Sequence, residues 1–390
     1  MEFIPYGRQN ITEKDIDAVV NVLKSDYLTQ GPKVPEFEQA IKDHCGVLHA
    51  LAMNSATSAL HVACLALEVG EGDVVWTTPI TFVASANCTL YCGATVDFVD
   101  IDPKTYNLSA ESLEQKLKEA KEQDRLPKVV IPVHLCGQPC DMEAIYALSQ
   151  KYGFSIIEDA SHAIGGSYQN KPIGNCQYSD ITIFSFHPVK IITTAEGGVA
   201  TTNSNKLAQK MDLLRSHGIT RDTDLMTHEP DGPWYYQQID LGFNYRMTEM
   251  QAALGVSQIQ RLKSITESRH KIAQRYNEQL ASLPVVVPFQ IQESYSGLHL
   301  YVIRLKLDEI KPTHLEVFNS LRAANIGVNL HYIPVHLQPY YQKHFSFQLG
   351  DFPQAEQYYE EAISLPLYPD ITEEQQNYIV ETLEGILRDD

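Results

Sequence analysis

Two segments of the 390-residue chain carry side chains that could do covalent chemistry. The first, SIIEDASHA at 155–163, closes an apolar run on Glu158 and Asp159 and continues into Ser161 and His162. The second, ITIFSFHPVKIITTAEGG at 181–198, closes another on Ser185, His187 and Lys190. A lysine after a strand is ordinarily a solvated surface group. Lys190 instead stands among Phe184, Phe186, Val189, Ile191 and Ile192, surroundings that lower an amine's pKa and make it nucleophilic, as a Schiff-base lysine requires. Asp159 alone would read as a loop cap. Paired with Lys190 it reads as the partner of a cationic ring nitrogen.

Two further segments complete a set. NSATSAL at 54–60 offers small hydroxyl side chains and free backbone N–H groups at a helix start, which suits a phosphate and equally suits an ordinary N-cap. TTPITFVASAN at 77–87 places Phe82 just past a strand end, where an aromatic is most often core but could also cover a ring. Lysine, carboxylate, phosphate cradle and apolar ring face are the four things pyridoxal phosphate asks of a protein. The expected cofactor is therefore pyridoxal 5′-phosphate.

These groups need a scaffold that gathers strand ends. Between about 49 and 203, apolar runs such as DVVWTTP, KVVIPVHL, SIIEDA, ITIFSF and GVATT alternate with amphipathic stretches. That pattern predicts an α/β domain with a mostly parallel central sheet covered on both faces, and such sheets bind ligands beyond the carboxyl ends of their strands. A helical pattern from about Met247 to Leu283 is expected to bridge to a small C-terminal α+β domain, giving units of 1–250 and 251–390. In the latter HLYVIRLKL reads as a strand, and LEVFNSLRAANIG and EEQQNYIVETLEGILRD as helices.

Composition narrows the class. A content of 44% hydrophobic and 20% charged residues describes a soluble globular protein. A net charge of −19 without a basic run disfavours nucleic acid. The opening MEFIPYGRQNITEKD lacks a signal-like apolar stretch, and no window approaches the roughly 18 apolar residues of a membrane span, so a cytoplasmic location away from membranes is expected. Seven scattered cysteines (45, 64, 88, 92, 136, 140 and 176) suggest reduced thiols; the spacings of Cys88 with Cys92 and of Cys136 with Cys140 could supply metal ligands, but no second pair with the usual two-residue spacing accompanies either. No metal is expected. A glycosyltransferase would use an acidic D-x-D at a strand end, whereas Asp222, Thr223 and Asp224 lie in the polar run ITRDTDLMTHEP. A dehydrogenase would need G-x-G-x-x-G where NSATSA stands.

Taken in order, YLTQGPKVPEFE, NSATSAL, TFVASAN, EDASHA, FSFHPVKIITTAEGG and GFNYRMTEMQAALG resemble the sugar aminotransferases of the DegT/DnrJ/EryC1/StrS family over nearly the whole chain. The resemblance implies a fold-type I aminotransferase. Lys190 would carry the cofactor, Asp159 would face the pyridine nitrogen and His162 would pack against the ring. Phe82 would stack on it, while Ala56, Thr57 and Ser185 would hold the phosphate. Asn244 would reach the phosphate from a neighbouring subunit, making a homodimer with shared sites. Within the family, HPVKIITTAEGG and the opening with Tyr6 and SDYLTQG look most like enzymes of the pseudaminic acid branch. That likeness implies L-glutamate as donor and a UDP-linked 4-keto-6-deoxy sugar as acceptor. By the same likeness Tyr6, Asp26, Tyr27, Leu28, Thr29, His331, Tyr332 and His336 are candidates for the sugar-nucleotide side. The alternatives are another UDP- or dTDP-keto-sugar, and a cofactor-binding relative without turnover; Lys190 argues against relatives that replace the lysine with histidine and dehydrate sugars.

Overall fold

A computed structural model describes residues 1–388. Seven strands form its central sheet: β1 (His49–Met53), β2 (Val74–Thr77), β3 (Thr95–Phe98), β4 (Val129–Ile131), β5 (Ser155–Asp159), β6 (Ile181–Ser185) and β7 (Gly198–Thr202). Their order is β1-β7-β6-β5-β4-β2-β3. The sheet is largely parallel, as expected, but β7 runs antiparallel to both neighbours. It therefore brings its first residue, Gly198, to the edge where the other strands end.

Strand residues alternate between two apolar layers with the period of two that a pleated strand imposes. Val130, Ile156, Phe184 and Val199 belong to one core with Phe37, Ile41 and Ile145. Their neighbours Ile131, Ile157, Ile183 and Ala200 belong to the other, with Leu60, Val62 and Met211. The helices follow from this. After α1 (Glu13–Leu23), α2 (Lys33–Cys45), α5 (Ala110–Glu122) and α6 (Met142–Tyr152) cover the first face, while α3 (Ala56–Ala66), α4 (Ala84–Tyr91) and α7 (Asn205–Arg215) cover the second. Starts of α3, α5, α6 and α7 are capped by Ser55, Ser109, Asp141 and Ser204, each accepting from a first-turn N–H.

The single helix expected over 247–283 is two: α8 (Glu249–Ile259) and α9 (Leu262–Leu280). At the break the chain is tied to residues far away in sequence. Gln258 Nε2 and Arg261 Nη2 both donate to the buried carboxylate of Asp15 on α1, at 3.0 and 2.8 Å, and Arg261 also reaches the Asn10 carbonyl. Leu262 and Ile265 of α9 sit in the first core, and Ile272, Tyr276 and Leu280 in a separate C-terminal core. That core lies against an antiparallel sheet of β8 (Val285–Val286), β9 (Tyr301–Leu305) and β10 (Ala362–Leu365), with α10 (His314–Ala323) and the terminal helix Glu373–Arg388. No helix among the described residues is long and apolar enough to cross a membrane. Asp222 folds back to accept the Asp224 N–H in an exposed turn, outside the central sheet.

Candidate active site

The carboxyl ends of β1, β5 and β6, together with the start of β7, open onto one cleft of about 550 Å³, and Tyr6, Ala56, Thr57, Phe82, Asp159, His162, Ser185, Lys190, His331 and Tyr332 all line it. Lys190 occupies the loop after β6. Thr193 Oγ1 and the Thr194 N–H both return to the Phe186 carbonyl, at 2.9 and 3.0 Å, curling the loop so that Ile191 and Ile192 turn inward. The amine makes no hydrogen bond among the described residues. Burial pushes its pKa down to about 8, against the opposing pull of Asp159 and Cys136. More neutral amine is therefore present near neutral pH than an exposed lysine would offer.

Asp159, the last residue of β5, is held rigidly. Ser85 Oγ on α4 donates to Oδ2 at 2.6 Å, and Ser161 donates to Oδ1 through its N–H at 3.1 Å and its hydroxyl at 2.5 Å. Thr81 Oγ1 supports Ser85 at 2.7 Å. These hydroxyls orient the carboxylate without neutralising it, which suits a partner of opposite charge.

At the α3 start, Ser55 caps Ser58 and the two hydroxyls bond each other and Asn54, so they are spent within the turn. The first-turn N–H groups of Ala56 and Thr57 are left over, and the Thr57 hydroxyl with them. Gly198 lies so close that a Cβ there would stand 2.4 Å from the Ala56 nitrogen. The absence of a side chain at 198 keeps this anion cradle open, with Ser185 at its side. An anion cradle, a desolvated amine and a fixed carboxylate around one cleft fit pyridoxal phosphate.

Six of the anticipated contacts lie outside this chain's own cleft. Asp26, Tyr27, Leu28 and Thr29 are exposed between α1 and α2, where the Leu28 carbonyl accepts the Glu249 N–H. Asn244 is exposed as well, its carbonyl receiving Asn54 Nδ2 at 3.4 Å, and its side chain does not enter this chain's own cleft. His336 is corrected outright. It is wholly buried outside the cleft, with Nε2 2.9 Å from Glu356 and its ring against Phe352, so it serves packing and not ligand contact.

Sequence reasoning missed Ser85, Asn329 and His299 on the cleft wall. His299 stands two residues before β9, its ring centroid 4.5 Å from that of His162, and its buried Nδ1 has no hydrogen-bond partner among the described residues. Its only sequence signal was a polar residue opening the largely apolar run HLYVI at the start of HLYVIRLKL.

A desolvated lysine facing a fixed carboxylate, at the strand ends of a mostly parallel sheet, defines an enzyme of amine chemistry. The chain belongs to the DegT/DnrJ/EryC1/StrS aminotransferase family, which it matches over residues 9–384. It is an aminotransferase, and its cofactor is pyridoxal 5′-phosphate. It is 38% identical over 387 residues to the UDP-4-amino-4,6-dideoxy-N-acetyl-β-L-altrosamine transaminase of Campylobacter jejuni, spanning 98% of this chain and 97% of that one. It is 37% identical over 388 residues to the spore coat polysaccharide biosynthesis protein SpsC of Bacillus subtilis, spanning 99% and 97%. The solved structure of Helicobacter pylori PseC, an aminotransferase involved in the biosynthesis of pseudoaminic acid, superposes with a TM-score of 0.90 at 31% identity over 99% of both chains.

Proposed function

We propose that this enzyme moves the amino group of L-glutamate to the C4 ketone of a UDP-linked 4-keto-6-deoxy-N-acetyl hexosamine, giving UDP-4-amino-4,6-dideoxy-N-acetyl-β-L-altrosamine. The observation that carries the reading is the unpaired Lys190 amine, its pKa pushed down to about 8, facing Asp159 in the cleft. When bound, the cofactor supplies the electron sink that lets nitrogen leave one carbon and join another. Lys190 holds that cofactor and, once released, carries the proton at the donor's α-carbon as a general base. Asp159 keeps the pyridine nitrogen protonated. Ala56, Thr57 and Ser185 bind the phosphate, Phe82 covers one ring face and His162 packs nearby. Tyr6, His331 and Tyr332 line the side open to the sugar.

The exposed positions of Asn244 and of the loop with Asp26, Tyr27, Leu28 and Thr29 support a homodimer in which these groups complete the neighbouring subunit's cleft. The enzyme works in the cytoplasm, where nucleotide sugars and glutamate are both at hand. The transaminase of Campylobacter jejuni supports the specific acceptor. The likeness to SpsC favours a second reading, an aminotransferase for a different nucleotide-linked keto-sugar. A panel of UDP- and dTDP-linked keto-sugars, with the product configuration read by NMR, separates the two. Turnover of the L-arabino 4-keto substrate to the L-altro amine supports the first reading. Turnover of only a D-xylo 4-keto or a 3-keto sugar overturns it.

A further inference from the structure

His162 and Tyr332 are far apart in sequence, yet His162 Nε2 lies 3.2 Å from Tyr332 Oη. The direction of that bond follows from the other ring nitrogen. His162 Nδ1 accepts the backbone N–H of Cys136 at 3.2 Å, so it carries no hydrogen. Burial, aided by the charges of Lys190 and His331, holds this imidazole's pKa well below its ordinary value, and a neutral imidazole has a single N–H. That hydrogen is on Nε2. His162 therefore donates, and Tyr332 Oη accepts.

The tyrosine's own hydrogen must then point elsewhere, and no acceptor receives it among the described residues. Tyr332 lines the cleft with Lys190, its ring 6.2 Å from that of Phe82. Burial, with Cys136 and Asp159 nearby, holds the phenol's pKa above its usual value, so the hydrogen stays in place. A buried donor left without an acceptor is costly, and a ligand that supplies one gains the difference. His331, next in the chain, is the opposite case. Asn329 Nδ2 stands 3.4 Å from its Nε2, and its Nδ1 hydrogen reaches Ser364 Oγ at 2.7 Å, leaving nothing for the cleft.

We propose that Tyr332 is a fixed hydrogen-bond donor into the cleft, aimed by the Cys136 N–H through His162, and that it takes an unprotonated oxygen of the ligand. That oxygen is either the ketone oxygen of the acceptor or the phenolic oxygen of the cofactor ring. His162 is on this account a positioning residue whose tautomer sets the direction. The ketone alternative rests on the reading that a keto-sugar is the second substrate.

Tyr332→Phe removes the hydroxyl and keeps the ring beside Phe82. The holoprotein is titrated with pH while its absorbance is followed, and the two half-reactions are then measured separately. A shifted titration midpoint assigns the oxygen to the cofactor. An unchanged midpoint, with KM for the keto-sugar raised about tenfold relative to that for glutamate, assigns it to the sugar. If neither moves, the proposal is overturned. Nitrogen NMR of histidine-labelled protein tests the relay without turnover: hydrogen on Nε2 of His162 is expected, and hydrogen on Nδ1 overturns it. Should no keto-sugar react with the unaltered enzyme, the substrate reading fails, while the titration and NMR still decide the role of Tyr332.

Discussion

Ser85 Oγ donates to Asp159 Oδ2 across 2.6 Å, tying the first turn of α4 to the end of β5. A hydrogen bond to a charged group contributes roughly 1.5–3 kcal/mol when buried. Ser85→Ala should therefore loosen the carboxylate and raise the dissociation constant of the cofactor about tenfold or more. Absorbance titration of cofactor-free protein measures this directly.

The lowered pKa of Lys190 predicts a pH profile. Only the neutral amine attacks the cofactor's aldehyde, so capture by the cofactor-free protein should accelerate with rising pH and level off above about 8. An ordinary lysine would still be gaining beyond that point. Stability follows the same group: between about 8 folded and the model-peptide value of roughly 10.4 unfolded, the unfolded chain binds more protons, so this contribution to stability increases as pH rises through that window. Stopped-flow absorbance and denaturant melts across pH 7–10 check both.

Gly198→Ala should be severe for its size. The added Cβ would stand 2.4 Å from the Ala56 nitrogen and 2.5 Å from the Ser55 carbonyl, all of it backbone. Overpacking of this kind costs about 1–3 kcal/mol. Thermal melts should show a lower midpoint, and dialysis should strip the cofactor more readily than from the unaltered protein.

If Asn244 serves the neighbouring cleft, subunits with different lesions should complement each other. A mixed dimer of Asn244→Ala and Lys190→Ala chains has one cleft with both residues intact and one with neither. Activity should reappear when two poor homodimers are mixed and refolded, approaching half that of the unaltered dimer. No recovery in confirmed mixed dimers counts against a shared site.

The candidate site was legible where chemistry coincides with a strand end. Lys190, Asp159 and Ser185 close apolar runs, and the α3 start announces itself through Asn54 and Ser55. His299 was not legible because its relation to His162 is made by the C-terminal sheet folding over the cleft, which no local pattern reports. The helix break at Arg261 was equally hidden, since the carboxylate its side chain reaches there is Asp15, at the other end of the chain. The direction of β7 escaped for a different reason: an all-buried run such as GVATT looks the same whichever way it runs.

The most direct test of the account is chemical marking of the lysine. Borohydride reduction of the yellow holoprotein, followed by digestion and mass spectrometry, should place the cofactor's mass on the peptide containing Lys190 and nowhere else. A reduced protein carrying the cofactor on another lysine, or none at all after saturation with pyridoxal phosphate, would contradict the assignment of Lys190 as the centre of this cleft.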